Sequence, residues 1–169
     1  MKEATLTINI GGIGAVIKPA GETDVLLEGT ANSEMLVANV FNNVIQGNGG
    51  SDSLIYKLLS KKSATGGNGQ DIWTDFAVGN VIEDDADAIN VQELLIGQTV
   101  TNINDFIEVR YDYQKDAVTV SIDRDGAGTG YEQTDLVTLT DFKKQNADVV
   151  FTSNDDLLNL LIANGQIIY

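Results

Sequence analysis

Residues 65–90, TGGNGQDIWTDFAVGNVIEDDADAIN, constrain the fold more than any other stretch. Gly66, Gly67 and Gly69 precede Asp71, and the chain then turns apolar at Ile72 and Trp73, close to the pattern G-G-x-G-x-D-x-apolar. Glycines this dense suit a tight turn whose backbone takes positive φ or lies close against a neighbouring segment. The carbonyls of such a turn face inward, and the Asp71 carboxylate closes on the same point. Donors that are all oxygen suit a hard cation, above all Ca²⁺. Asp71 with the turn carbonyls of Gly66 and Asn68 is therefore the leading candidate metal site. The plainer reading is a glycine turn capped by Asp71.

A degenerate copy lies upstream in GNGGSDSLIY, residues 47–56, with Asn48 in the second glycine slot, then Gly50, Asp52 and Leu54. Asp52 is the second candidate ligand. Asp52 and Asp71 are 19 residues apart, whereas a regular roll of nine-residue turns needs 9 or 18. An unbroken roll is therefore not expected here. Asp75 either closes a site from the next strand position but one or is a surface strand residue. Asp123 and Asp125 stand at i and i+2 before Gly126, as at the start of an EF-type loop. Ala127 and Thr134 would occupy its fifth and twelfth positions, which rules out an EF-hand. A different calcium loop and a hairpin turn with solvated acids both remain open. Asp84, Asp85 and Asp87 read as a solvated loop.

Charge narrows the partners. The 169 residues carry 25 acids and 10 bases, net −15, and 15 of the acids but only 3 of the bases lie between residues 65 and 135. Nucleic acid and anionic membrane surfaces both need positive charge, so neither is an expected partner. Clustered acids beside glycine turns favour cations instead. Cysteine and histidine are absent, which removes disulfides, zinc thiolate sites and Ser-His or Cys-His catalysis. Enzyme activity is not expected. No apolar run approaches the roughly 18 residues of a bilayer span, so no membrane insertion is expected. Nor does a basic flank precede an apolar core at the start, so no cleavable signal peptide is expected.

Periodicity points to a mainly β fold: an antiparallel sandwich or meander with degenerate turns and one or two short helices. One proline and 17 glycines agree with that. Residues 4–10 alternate apolar and polar, residues 24–28 form a short strand, and residues 35–46 are ambiguous between helix and strand. The clearest element is a hairpin, 106–113 returning at 117–123, with 135–140 as the third strand of a meander. Asn90 and Glu93 suggest a short helix through 91–95. Ser153 and Asp156 start another near 154–163, which Asn164 and Gly165 close before a last strand at 166–169. Trp73, Phe76, Phe106 and Phe142 read as core aromatics.

The succession GGNGQDIWTDF, DAINVQELL, FIEVRYDY, SIDRDGAG and DDLLNLLIANGQIIY resembles the type I secretion C-terminal target domain. That domain ends giant RTX-type, biofilm-associated surface adhesins of Gram-negative bacteria. The resemblance divides the chain into residues 1–45, the end of a preceding repeat or strands of the same domain, and residues 46–169, the target domain. It implies a secreted, cell-surface protein whose calcium-stabilised fold forms after export. It also implies that the C-terminal tail is an uncleaved signal read by the type I secretion machinery, an ABC transporter complex. A calcium-dependent, lectin-like ligand-binding module is the alternative, and it requires a concave site of acids and aromatics.

Overall fold

The computed structural model describes residues 6–10, 13–17, 24–82, 85–99 and 101–169. Residues 4 and 5 of the first expected strand, Gly11 and Gly12 of the turn after it, and Glu83 and Asp84 of the acidic loop lie outside them. The fold is mainly β, as expected. Strands β1 (Leu6–Ile10) and β2 (Ile13–Ile17) form an antiparallel hairpin. The chain then places β3 (Asp24–Glu28), β4 (Glu34–Val37), β5 (Asn42–Gln46), β6 (Ser53–Ile55), β7 (Asp71–Trp73) and β8 (Ala88–Asn90) alternately in two sheets. A 3₁₀ turn at Ile103–Asp105 leads to β9 (Ile107–Asp112), β10 (Ala117–Ile122) and β11 (Thr134–Leu139). Helices α1 (Phe142–Gln145) and α2 (Asn154–Ala163) and strand β12 (Ile167–Ile168) follow. Among the described residues, one sheet runs β1-β2-β4-β6-β8-β12 and the other β3-β5-β7-β11-β10-β9.

A nine-residue apolar period drives the winding. Leu27, Leu36, Ile45 and Leu54 follow at that interval, and each is fully buried. Each strand supplies one such side chain to the space between the sheets, and the polar segment after it turns the chain across to the other sheet. Burying each stabilises the fold by roughly 1.5–3 kcal/mol. Trp73 and Ile89, equally buried, continue the pattern from β7 and β8. Alternate strands therefore pair in parallel: β3 with β5, β4 with β6, β5 with β7 and β6 with β8.

One expectation is corrected here. The strands are not all antiparallel; among the described residues that pairing is confined to β1–β2 and β9–β10–β11. No unbroken roll of nine-residue turns is present, as expected, but a parallel winding with inserted loops passes through both glycine motifs. Asp52 and Asp71 are 19 residues apart because they stand in different sheets, just before β6 and at the start of β7, and so are not stacked neighbours at all. Stacked neighbours are Glu34 and Asp52, 18 apart, Asn43 and Asp71, 28 apart, and Asp52 and Asp87, 35 apart. The longer separations arise because loops are inserted after β6 and after β7.

The ambiguous stretch 35–46 resolves into β4 and β5, since Met35, Val37 and Asn39 alternate with buried Glu34, Leu36 and Ala38. The boundary between residues 45 and 46 falls inside β5, and Leu27, Leu36 and Ile45 share one core with Leu54, Trp73 and Leu157. The helix expected at 91–95 is a single turn. Leu94 N–H donates to Val91 O at 2.8 Å, while the Asn90 side chain accepts from Gln92 N–H and Glu93 is drawn away to Lys57. Helix α2 forms as the capping residues dictate: Ser153 Oγ accepts from Asp156 N–H at 3.1 Å, and Gly165 closes the other end at φ 75°. Its Leu157, Leu158 and Leu161 are buried, and Asn154 accepts from Tyr111 N–H beside β9. The meander forms as expected and joins the winding through β11, which pairs in parallel with β7. Trp73, Phe76, Phe106 and Phe142 are all buried.

Candidate metal centre

Each turn of the winding ends in an acid or amide followed by x-apolar: Glu34-Met35-Leu36, Asn43-Val44-Ile45, Asp52-Ser53-Leu54, Asp71-Ile72-Trp73 and Asp87-Ala88-Ile89. Alternation explains why these polar groups face inward. The residue two before a core side chain shares its face, so all five are buried. A buried carboxylate needs donors, and here the preceding coil supplies them. Glu34 N–H donates to Asp52 Oδ1 at 2.8 Å, Asp52 N–H to Asp87 Oδ1 at 3.0 Å, and Asn43 N–H to Asp71 Oδ1 at 2.7 Å. These buried polar side chains thus form two columns on the winding, one of the acids Glu34, Asp52 and Asp87, the other of the amide Asn43 and the acid Asp71.

Asp71 is enclosed. Its second oxygen accepts from the buried Tyr56 hydroxyl at 2.7 Å. Burial pushes the Asp71 carboxyl up to about 6 and holds the Tyr56 phenol well above its ordinary range. Gly66 and Gly67 take positive φ, and a side chain on Gly69 would meet Phe41 O at 2.1 Å, so the glycines serve turn geometry and close stacking. The Asn68 amide donates to Lys57 O and Thr65 O, both at 2.9 Å, which draws that side chain into its own loop.

Asp52 stands in a different setting. It lines a cavity of about 170 Å³ with Asp75, Asp85, Asp87, Asn48, Gly49, Gly50 and Ala77. Asp75 reaches it from beyond β7. Its Oδ1 accepts from Gly47 N–H at 2.9 Å and from the Trp73 indole at 3.0 Å, and its Oδ2 accepts from Asn48 N–H at 2.8 Å. Asp87 Oδ2 accepts from Ala77 N–H at 2.8 Å. The carboxylate of Asp52 lies so close to Gly47 that a Cβ there would meet Oδ2 at 2.4 Å, which is why the motif opens on glycine. Burial pushes Asp52 up to about 8 and Asp87 to about 7, with the charges of Asp87 and Glu34 adding to the rise at Asp52 and that of Asp75 to the rise at Asp87. No basic side chain lines the cavity, and none of its four acids enters an ion pair among the described residues.

Asp123 and Asp125 lie elsewhere and close their own loop. Asp125 N–H donates to Asp123 Oδ1 at 3.1 Å, and the Asp125 carboxylate accepts from Gly130 and Tyr131 N–H. The Gly130 amide holds the Asp125 carboxyl below its ordinary range. The first residue of this loop after Asp123 does separate work. Arg124, 1% exposed, donates to Leu94 O at 2.8 Å, Lys61 O at 3.1 Å and Ser63 O at 2.9 Å, and its guanidinium lies 4.4 Å from the Tyr131 ring centroid.

The structure therefore joins Asp52 and Asp75 of the expected ligands and leaves Asp71, Gly66, Asn68, Asp123 and Asp125 apart from them. It also corrects the reading of Asp87 as solvated: Asp87 is 3% exposed, whereas Asp85 is exposed. The recurring acid-x-apolar triplet was the signal that marks Glu34 and Asp87. The fit to a cation can be judged on these groups. The four carboxylates offer oxygen, as a hard cation needs, and Asp52 and Asp87 are desolvated without a compensating base among the described residues. Among the described residues no three acids stand close enough to hold an ion by side chains alone. A cation here would depend on the glycine-turn carbonyls as well.

The fold and cavity define a mainly β, two-sheet winding with stacked carboxylate turns. No family model matches the chain, and no curated protein matches it. Among solved structures it is similar to the AlgE6R3 subunit of the Azotobacter vinelandii mannuronan C5-epimerase, solved in solution, at 17% identity. That alignment covers 80% of this chain and 86% of that one with a TM-score of 0.33, a likeness too slight to carry an argument.

Proposed function

We propose that the chain is a calcium-stabilised β-roll domain of a large secreted surface adhesin, with the cation in the cavity beside Asp52 and Asp87 and held by carbonyls of the 47–50 turn as well as by carboxylate. One observation carries the cation: Asp52 and Asp87 are buried side by side on a cavity that no basic side chain lines among the described residues. A bound cation supplies the missing positive charge and lets both acids ionise at neutral pH. The domain then closes outside the cell, where calcium is abundant, and the tail at 155–169 serves as the export signal for an ABC transporter complex. No catalytic step belongs to this reading.

Thermal melts in chelator and in calcium test it. Calcium at ten- to a hundredfold excess over Kd gives roughly 1.4–2.7 kcal/mol per site. Asp52→Asn keeps the acceptor for Glu34 N–H and is expected to remove that gain. Asp71→Ala strands Asn43 N–H and the Tyr56 hydroxyl, costing about 2–5 kcal/mol with and without calcium alike. Equal melts in chelator and calcium for the wild-type chain would defeat the proposal.

The lectin-like alternative has an observation of its own. A shallow hollow of about 660 Å³ on the β9–β10 end is lined by Arg110, Asp112, Asp135, Tyr111 and Tyr113, and Tyr113 is 78% exposed. Glycan binding that is lost in Tyr113→Ala would favour that reading; titration with neutral oligosaccharides decides it.

A further inference from the structure

The wall of the acidic cavity is also the docking strip for the end of the chain. Gln166 is fully buried against Ala77, Gly79 and Asp87. Its Nε2 donates to Ala77 O and to Asp87 O, both at 2.8 Å, and its Oε1 accepts from Gly79 N–H at 3.2 Å. From the cavity side, Asp87 binds the same residues: its carboxylate accepts from Ala77 N–H at 2.8 Å and from Asp52 N–H at 3.0 Å. Asp87 N–H donates to Ala77 O as well, at 3.0 Å. Ala77 and Asp87 are thus gripped from the front by a carboxylate and from behind by an amide.

The same glutamine begins the last strand. Ile89 N–H donates to Gln166 O at 2.7 Å and Val91 N–H to Ile168 O at 2.9 Å, with Val81 N–H on Asn164 O at 3.2 Å. Among the described residues, strand β12 lies at the edge of its sheet and pairs with β8 alone. A short edge strand gains little from its own two residues, so its docking depends on how well the 77–91 segment holds its shape. Loss of the Gln166 amide would leave the buried Asp87 carbonyl without this donor and Gly79 N–H without its acceptor, while Ala77 O would keep only Asp87 N–H.

We infer that Gln166 is a latch that makes closure of the acidic cavity and docking of the C-terminal tail a single cooperative event. When Ala77, Gly79 and Asp87 are held, the tail is zipped against β8. When they loosen, the tail is released from it. Coupling of this kind is reciprocal, so tail docking tightens the cavity by the factor that cavity closure tightens the tail. Calcium as the ligand that closes the cavity rests on the function proposed above; the mechanical coupling does not.

Amide hydrogen exchange reads both sides at once. The cavity reporters are the N–H groups of Asp52 and Ala77, the tail reporters those of Ile89 and Val91, and Val118 and Val120 in the remote meander are controls for global unfolding. Gln166→Met keeps the side-chain volume and removes the amide. It is expected to speed exchange roughly tenfold at all four reporters with the controls unchanged. Faster exchange at Ile89 and Val91 alone, with Asp52 and Ala77 still protected, would overturn the latch. Should the variant lose protection at the controls, calcium titration of the wild-type chain decides instead. Slowing of all four reporters in step supports the latch. Slowing at Asp52 and Ala77 only overturns it while leaving the cation site standing. If Gln166→Met loosens all four and calcium alters none in the wild type, the latch holds and the cation reading fails.

Discussion

At the scale of single residues, burial of acids is the governing fact. Asp52, Asp87 and Asp71 each sit above their ordinary carboxyl range because the winding removes them from water faster than its amides compensate. A carboxyl whose folded pKa is raised binds more protons folded than unfolded, so stability falls as pH rises from the unfolded value toward the folded one. Without calcium, the domain is therefore most stable near pH 4 and loses stability up to about pH 8, the value reached by Asp52. A few kcal/mol lost in a chain of this size lowers Tm by on the order of 5–10 °C. Melts at stepped pH in chelator check this, and calcium should flatten the slope by holding the same acids ionised. A metal-free stability that rises from pH 4 to 8 would contradict the burial argument.

At the scale of elements, the two inserted loops are the unusual parts of the winding, and each needs its own fastening. The loop after β6 is fixed from across the molecule by Arg124, whose guanidinium takes the place of water for three carbonyls from two segments. Tyr131 covers it from the other side and donates its hydroxyl to Lys61 O. Arg124→Met keeps the aliphatic stem and deletes those bonds, so a loss of about 3–5 kcal/mol is expected, read as a lower urea midpoint. Lysine at this position should recover only part of it, because an ammonium cannot present the same planar fork. A midpoint unchanged in Arg124→Met would mean that water replaces the guanidinium without cost.

At the scale of the whole molecule, the charge distribution and the position of the tail combine. Fifteen acids between residues 65 and 135 repel one another when no cation is bound, which opposes collapse of the winding. The tail, α2 and β12, docks late in the chain order onto β8 and β9 and depends on that winding being formed. On the function proposed above, export recognition and folding draw on different residues. Deleting residues 155–169 from a full-length parent is expected to abolish secretion, whereas Asp52→Asn should leave the secreted amount unchanged and the product less calcium-responsive. Measuring the protein in medium and cell fractions distinguishes these, and normal export without the tail would shift the case to the ligand-binding module.

Local chemistry alone settled the mainly β character, the meander, the capped helix at 154–163, the buried aromatics and the glycine turns. Each follows from period-two alternation or from residues within a turn of one another. The nine-residue run of Leu27, Leu36, Ile45 and Leu54 was also legible and implies a winding, yet the 19-residue gap between Asp52 and Asp71 masked it. Only the tertiary structure decided which acids meet. Asp52 lies beside Asp87, 35 residues on, because apolar side chains of β6 and β8 pack in register and the intervening loops are extruded. Sequence spacing cannot count across inserted loops; packing of the core can, and it carries the carboxylates with it.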